Sequence, residues 1–160
     1  MTLSYKAMSF AMEKHKHHSR KYTGNPYWTH LAEVAGLVST FYKEDHILSA
    51  AWLHDTLEDT NATREELTSI FGEEIMQMVL SLSDMENGNR TERKQLSRER
   101  LSKTPSYVQD IKVCDLISNT SSIMHHDPKF AKVYLEEKKL LLDVLTKANK
   151  ELLKLAYAYI

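Results

Sequence analysis

Residues 50–60, AAWLHDTLEDT, set His54, Asp55, Glu58 and Asp59 directly after an apolar run. Burying unpaired charge is costly, so such groups in a core-like helix call for partners or a metal ion. Read as one helix over 44–58, the segment pairs His54 with Glu58, and Asp55 with Asp59, at i,i+4 on one broad face. An acidic half-turn after an apolar helix is also a common solvated end. Other parts of the chain weigh against that blander reading, because they supply the missing ligands.

Two further residues suit a metal site shared with His54 and Asp55. His30 follows a Pro-Tyr-Trp segment at the mouth of a helix, and Asp115 interrupts the apolar run IKVCDLI. A lone histidine at a helix start is commonly a capping or core residue. An aspartate in an apolar run is harder to explain without a partner. Two imidazoles and two carboxylates, with room for water, fit Mn²⁺ or Fe²⁺, with Mg²⁺ also compatible. A structural zinc site would use thiolates. Such an ion lowers the pKa of bound water and polarises a phosphoryl oxygen. Glu58 and Asp59 are then spaced to orient that water and move its proton. Asn119, one turn beyond Asp115, offers a neutral amide to a ligand hydroxyl. Arg20 and Lys21 could hold phosphate, and Arg20 could stack on a base. His17, His18, His125 and His126 have no spaced acidic partners and read as surface. His15, at the end of the first helix, is expected to meet the negative end of the helix dipole.

The elements that must position these groups are all helical. Tyr5, Met8, Ala11 and Met12 give an amphipathic helix over 4–14, and Leu31, Val34, Ala35 and Val38 another over 28–42. Thr63 and Glu66 form a capping box for a helix stopped by Gly72, and residues 73–83 form the next. The stretch RTERKQLSRERLS is too charged for core and reads as a solvated helix or flap. Pro105 restarts the pattern in the helix that carries Asp115. Asp127 can cap an amphipathic helix over 129–147, and a short one covers 150–157. No convincing period-two alternation occurs. The expected fold is all-α, a single-domain helical bundle with a metal site between helices.

Composition narrows the function further. The 160 residues suit one domain, and 42% hydrophobic with 27% charged residues is an ordinary globular profile. A net charge of -1 argues against nucleic-acid binding. No apolar run approaches a membrane span, and Lys6, Glu13 and Lys14 break up any signal peptide. Cys114 stands alone, so no intrachain disulfide forms and the cytoplasm is the expected compartment. It reads as a small buried apolar side chain. The charged 90–103 segment and the final helices could serve contacts between copies, which leaves a homo-oligomer open.

RKYTGNPYWTH, AAWLHDTLEDT and IKVCDLISN, in that order, resemble the HD-domain hydrolases of the RelA/SpoT-homologue family, and in length its small stand-alone alarmone hydrolases. The resemblance runs from Ala7 to about Leu145. It implies an HD fold and Mn²⁺-dependent removal of the 3′-pyrophosphate from guanosine tetra- or pentaphosphate by metal-activated water. It assigns His30, His54, Asp55 and Asp115 as metal ligands, Glu58 and Asp59 as the catalytic pair, and Arg20, Lys21 and Asn119 as nucleotide contacts. Tyr134 is similar to a tyrosine lining the family's nucleotide pocket. Two departures bear on substrate choice: Leu116 follows Asp115 where a basic residue is usual, and His17-His18 replaces Gly-Gln. No synthetase domain is expected. The alternatives are hydrolysis of another nucleotide (an adenine alarmone, a deoxynucleoside triphosphate or a nucleoside monophosphate), or a helical module that senses a nucleotide without turnover.

Overall fold

The apolar spacings and scarce breakers are realised as helices throughout, in a computed structural model that describes residues 1–160. No strand forms, and a single antiparallel bridge pairs Ser19 with Pro26. Contacts group the chain into two units, residues 1–83 and 84–160. The first holds α1 (Leu3–Lys14), α2 (Trp28–Ser39), α3 (Asp45–Leu53), α4 (Thr56–Asp59), α5 (Arg64–Phe71) and α6 (Glu73–Leu82). The second holds α7 (Arg90–Ser102), α8 (Ser106–His126), α9 (Pro128–Leu142) and α10 (Lys150–Tyr157).

In the first unit the Asp45 carboxylate accepts from the backbone N–H groups of Leu3 and Ser4 at 2.6 and 3.0 Å. It satisfies orphan donors of α1 while sitting in the first turn of α3, where an anion is favoured. Ala7 and Ala11 of α1, and Ala50 and Ala51 of α3, are all wholly buried, and such small side chains let two packed helices approach closely. Leu31, Val34 and Val38 of α2, with Leu67, Ile75 and Val79 of α5 and α6, complete the core. Thr63 caps α5 by accepting from Glu66 N at 3.1 Å, whereas the Glu66 carboxylate takes Lys14 Nζ at 2.9 Å. Gly72, at φ +89°, ends α5 in a conformation that L side chains rarely adopt.

The expected helix over 44–58 is interrupted. It breaks at His54 and Asp55, and Asp55 (φ −96°, ψ 0°) opens the short α4. No glycine or proline causes this. The Ala51 carbonyl, which in a continuous helix would accept from the backbone of residue 55, meets the His54 ring at 2.8 Å. Side-chain competition thus turns the chain where the ionisable groups begin.

In the second unit α7 carries a full capping box from Asn89 and Glu92. It is mostly exposed, but Ser97 and Leu101 are buried. Ser97 Oγ and Arg100 Nη2 both donate to Asp84 Oδ1, at 2.7 and 2.8 Å. Burial alone would raise the Asp84 pKa, but Lys112, Ser97, Lys94 and Arg100 together hold it below the usual carboxylate range. Gln109, wholly buried on α8, donates to the Leu101 carbonyl at 3.2 Å and accepts from Lys147 N at 2.9 Å. That side chain staples α8 to the segments before and after it. Leu101, Ile111, Leu142, Leu145 and Leu152 form the core.

Candidate functional site

The first unit brings together three of the four expected metal ligands. His30 lies in the first turn of α2 and His54 caps α3, both buried, with ring centroids 5.3 Å apart. Asp55 Oδ2 lies 3.2 Å from His54 Nε2 and 3.5 Å from His30 Nε2. The Ala51 carbonyl only accepts, so His54 Nδ1 carries the proton and Nε2 presents a lone pair when the ring is neutral. A lone pair and a carboxylate oxygen at 3.2 Å repel unless a proton or cation lies between them. Two imidazole nitrogens converging on one carboxylate oxygen are a donor set that fits a divalent first-row ion.

Tyr27, not singled out from the sequence, anchors this group. Its hydroxyl donates to Asp55 Oδ2 at 2.6 Å, and its ring stacks on His15 with centroids 5.0 Å apart. His15 is wholly buried, and burial, its largest influence, pushes the ring down to about 4. It is therefore neutral near pH 7, which corrects the expected role as a cation at the end of α1. Its Nδ1 meets His18 Nδ1 at 3.2 Å, so His18 is engaged in this cluster too.

Glu58 and Asp59 lie in α4 with their residues exposed to solvent. The Asp59 N–H donates to the Asp55 carbonyl at 3.0 Å, so that i,i+4 relation survives the helix break. Although Asp59 is solvent-facing overall, partial burial of its carboxyl and the neighbouring charge of Asp55 raise its pKa. A raised carboxylate is the better proton acceptor. Arg20 sits in a loop closed by Arg20 N to Asn25 O at 2.8 Å and Gly24 at φ +70°. Its guanidinium is tied to Glu33 at 2.9 Å, while Lys21 is exposed with Nζ 5.0 Å from the Tyr22 ring centroid. The two basic residues therefore have different settings.

In the second unit Asp115 is buried on α8, accepting from Lys112 Nζ and Asn119 Nδ2, each at 2.8 Å. The Asn119 amide, expected to address a ligand, is thus engaged with Asp115. Asn119 also borders a cavity of about 320 Å³, which Leu116, Phe130 and Tyr134 line with Arg90 and Lys94. The Tyr134 hydroxyl donates to the Leu116 carbonyl at 3.3 Å, and burial raises its pKa, so it remains a phenol. Cys114 is buried with its thiol pushed up to about 12, and it is inert as expected.

Residues 7–129 match the family model described as HD domain. The chain belongs to the HD-domain family. The GTP pyrophosphokinase rsh of Brucella melitensis biotype 1 is 32% identical over 132 residues, covering 78% of this chain and 18% of the relative's length. The guanosine-3′,5′-bis(diphosphate) 3′-pyrophosphohydrolase MESH1 of Xenopus tropicalis is 33% identical over 130 residues, covering 79% of this chain and 73% of that protein. A solved structure of a metazoan SpoT orthologue that hydrolyses ppGpp superposes with a TM-score of 0.91 at 25% identity, covering 99% of this chain and 94% of that one.

An HD domain implies a divalent metal ion, and the donor set around Asp55 suits one. No helix of this HD-domain chain is long and apolar enough to cross a membrane. The sequence carried a trace of Tyr27, which stands three residues before His30, but nothing local tied its hydroxyl to Asp55. Lys138 was also missed. Four residues after Tyr134 and three before Leu141, it occupies an apolar register of α9 and is buried.

Proposed function

We propose that this HD-domain protein is a metal-dependent 3′-pyrophosphohydrolase of guanosine tetra- and pentaphosphate, working as one catalytic domain in the cytoplasm. The observation that carries the reading is the convergence of His30, His54 and Asp55, with the Glu58–Asp59 pair following directly. Similarity to MESH1 and to the ppGpp-hydrolysing SpoT orthologue supports the substrate class. His30, His54, Asp55 and Asp115 would hold the ion, a donor set that fits Mn²⁺ or Fe²⁺, of which Mn²⁺ is the one the family resemblance implies. When bound, the ion supplies Lewis-acid polarisation of a phosphoryl oxygen and a more acidic water.

The chain's own residues do the rest. Tyr27 holds the Asp55 carboxylate in one orientation. Asp59, with its raised pKa, accepts the proton of the attacking water, and Glu58 orients that water. Arg20 and Lys21 offset phosphate charge, and Asn119 and Tyr134 contact the nucleoside. The water oxygen bonds to the phosphorus beside the ribose 3′ oxygen. The P–O3′ bond breaks and the departing 3′ oxygen takes up a proton, balancing the one passed to Asp59, to give pyrophosphate and a nucleotide with a free 3′ hydroxyl. Incubating guanosine tetraphosphate with and without Mn²⁺ and resolving products by ion-exchange chromatography tests this. Mn²⁺-dependent release of pyrophosphate and guanosine diphosphate is expected, and no turnover by metal-loaded protein would refute it.

A further inference from the structure

Lys138 heads the fully buried side chains of this protein by size and is only 1% exposed. Its Nζ has no hydrogen-bond partner, and the Tyr159 ring centroid 6.0 Å away is weak compensation. A buried ammonium without an acceptor is strongly unfavourable, so its retention calls for a ligand that supplies one.

Lys138 lines the cavity of about 320 Å³ with Leu116, Asn119, Phe130 and Tyr134. That volume lies at the lower end of small-molecule pockets, about 300–1,000 Å³. The cavity's charges are layered by exposure. The side chains of Arg90 and Lys94 are 48% and 38% exposed, whereas Lys138 is buried beside apolar and aromatic walls. A phosphate reaching Lys138 would shed its water and meet the carboxylates of Glu137 and Asp84, with which Arg90 and Lys94 are already paired. A purine has apolar faces suited to Phe130 and Tyr134, and neutral acceptors on its edge, so it is the less costly group to bury there. An ammonium offers only hydrogens. It matches O6 and N7 of a 6-oxopurine, whereas the 6-amino group of adenine would set donor against donor.

We propose that Lys138 is a specificity-determining residue that reads the O6/N7 edge of the base, so that the cavity takes a 6-oxopurine nucleotide in preference to a 6-aminopurine one. This rests on the reading of the chain as a guanosine-nucleotide hydrolase and adds to it the residue that selects the base.

The test is calorimetric titration of guanosine, inosine and adenosine 5′-diphosphates into the wild-type chain and Lys138→Met, in one buffer at pH 7. Inosine keeps O6 and N7 but lacks the 2-amino group, so it isolates the edge in question. The wild type is expected to bind the guanosine and inosine nucleotides about tenfold more tightly than the adenosine one. Lys138→Met should remove that preference, weakening guanosine and inosine diphosphate binding while adenosine diphosphate, freed of the opposing donor, does not weaken. Equal weakening of all three nucleotides would overturn the proposal, because Lys138 would then be holding phosphate or cavity shape. Equal wild-type affinities would overturn it without any variant, so the test survives a misfolded mutant. Tetraphosphate hydrolysis, measured separately, divides the claims. Base selection without turnover sinks the hydrolase reading alone, and turnover without base selection sinks this inference alone.

Discussion

Lys138 also makes a stability prediction that needs no ligand. Burial lowers its pKa from 10.5 to about 8. Below pH 8 the amine is charged in both the folded and unfolded chain, and the cost of burying the charge is fully present. Between about 8 and 10.5 the unfolded chain holds a proton that the folded chain has released, so stability rises with pH. The gap corresponds to on the order of 3 kcal/mol. Lys138→Met keeps an unbranched side chain, one atom shorter, and removes the charge. It should stabilise the protein at pH 7 by about 2–3 kcal/mol and abolish the rise. Urea melts of both proteins at intervals from pH 7 to 10 provide the comparison. The upper limit keeps clear of Tyr157, pushed up to about 12, whose effect on stability begins above the ordinary tyrosine pKa of 10. Parallel curves for the two proteins over this range, or a less stable variant at pH 7, would refute the reasoning.

The same physics gives sharp expectations elsewhere. His15, held near pKa 4 against an ordinary 6.5, remains neutral in the fold while the unfolded chain takes up a proton. Stability should therefore fall by on the order of 3 kcal/mol as pH drops from 6.5 to 4. His15→Phe, which keeps a ring against Tyr27, should lose that component in acid melts. Tyr27→Phe removes the hydroxyl that orients Asp55 and should weaken Mn²⁺ binding about 10- to 100-fold by calorimetry, with the thermal melt little changed. Unaltered metal affinity would show that the 2.6 Å bond has no positioning role. Asp84→Asn weakens the acceptor shared by Ser97 and Arg100 and should cost about 1–3 kcal/mol in denaturant melts, along with lost hydrogen-exchange protection in α7.

Where local signals were strong, the chain was readable. α10 spans Lys150–Tyr157 as expected, with Asn149 capping it, and Asp127 caps α9 through Phe130 N at 3.1 Å. α9 stops at Leu142, short of 147, because the following residues tighten into i→i−3 turns and the N–H groups of Lys147 and Asn149 donate to the side chains of Gln109 and Asp110. The interruption at His54 was invisible, since it comes from a ring competing for a carbonyl and leaves no breaker residue. His30, His54 and Asp55 stood out because charge in apolar helices demands a partner. Tyr27 did not, because its partner is 28 residues away and a tyrosine before a helix is ordinary. Spacing put Asn119 on the face of Asp115 but could not reveal that one of its amide hydrogens is donated to that carboxylate. Lys138 hid inside a helix rich in lysine, where one inward-facing residue is separated from its exposed neighbours only by register.

The central claim is water attack at the phosphorus beside the 3′ oxygen, with Asp59 taking the proton. Hydrolysis of guanosine tetraphosphate by Mn²⁺-loaded protein in ¹⁸O-labelled water, read by mass spectrometry, tests it directly. The account predicts a single labelled oxygen in the released pyrophosphate, none in guanosine diphosphate, and no product from Asp59→Asn although that variant folds. Label on the nucleoside 3′ hydroxyl, release of monophosphate in place of pyrophosphate, or full activity of Asp59→Asn would contradict it.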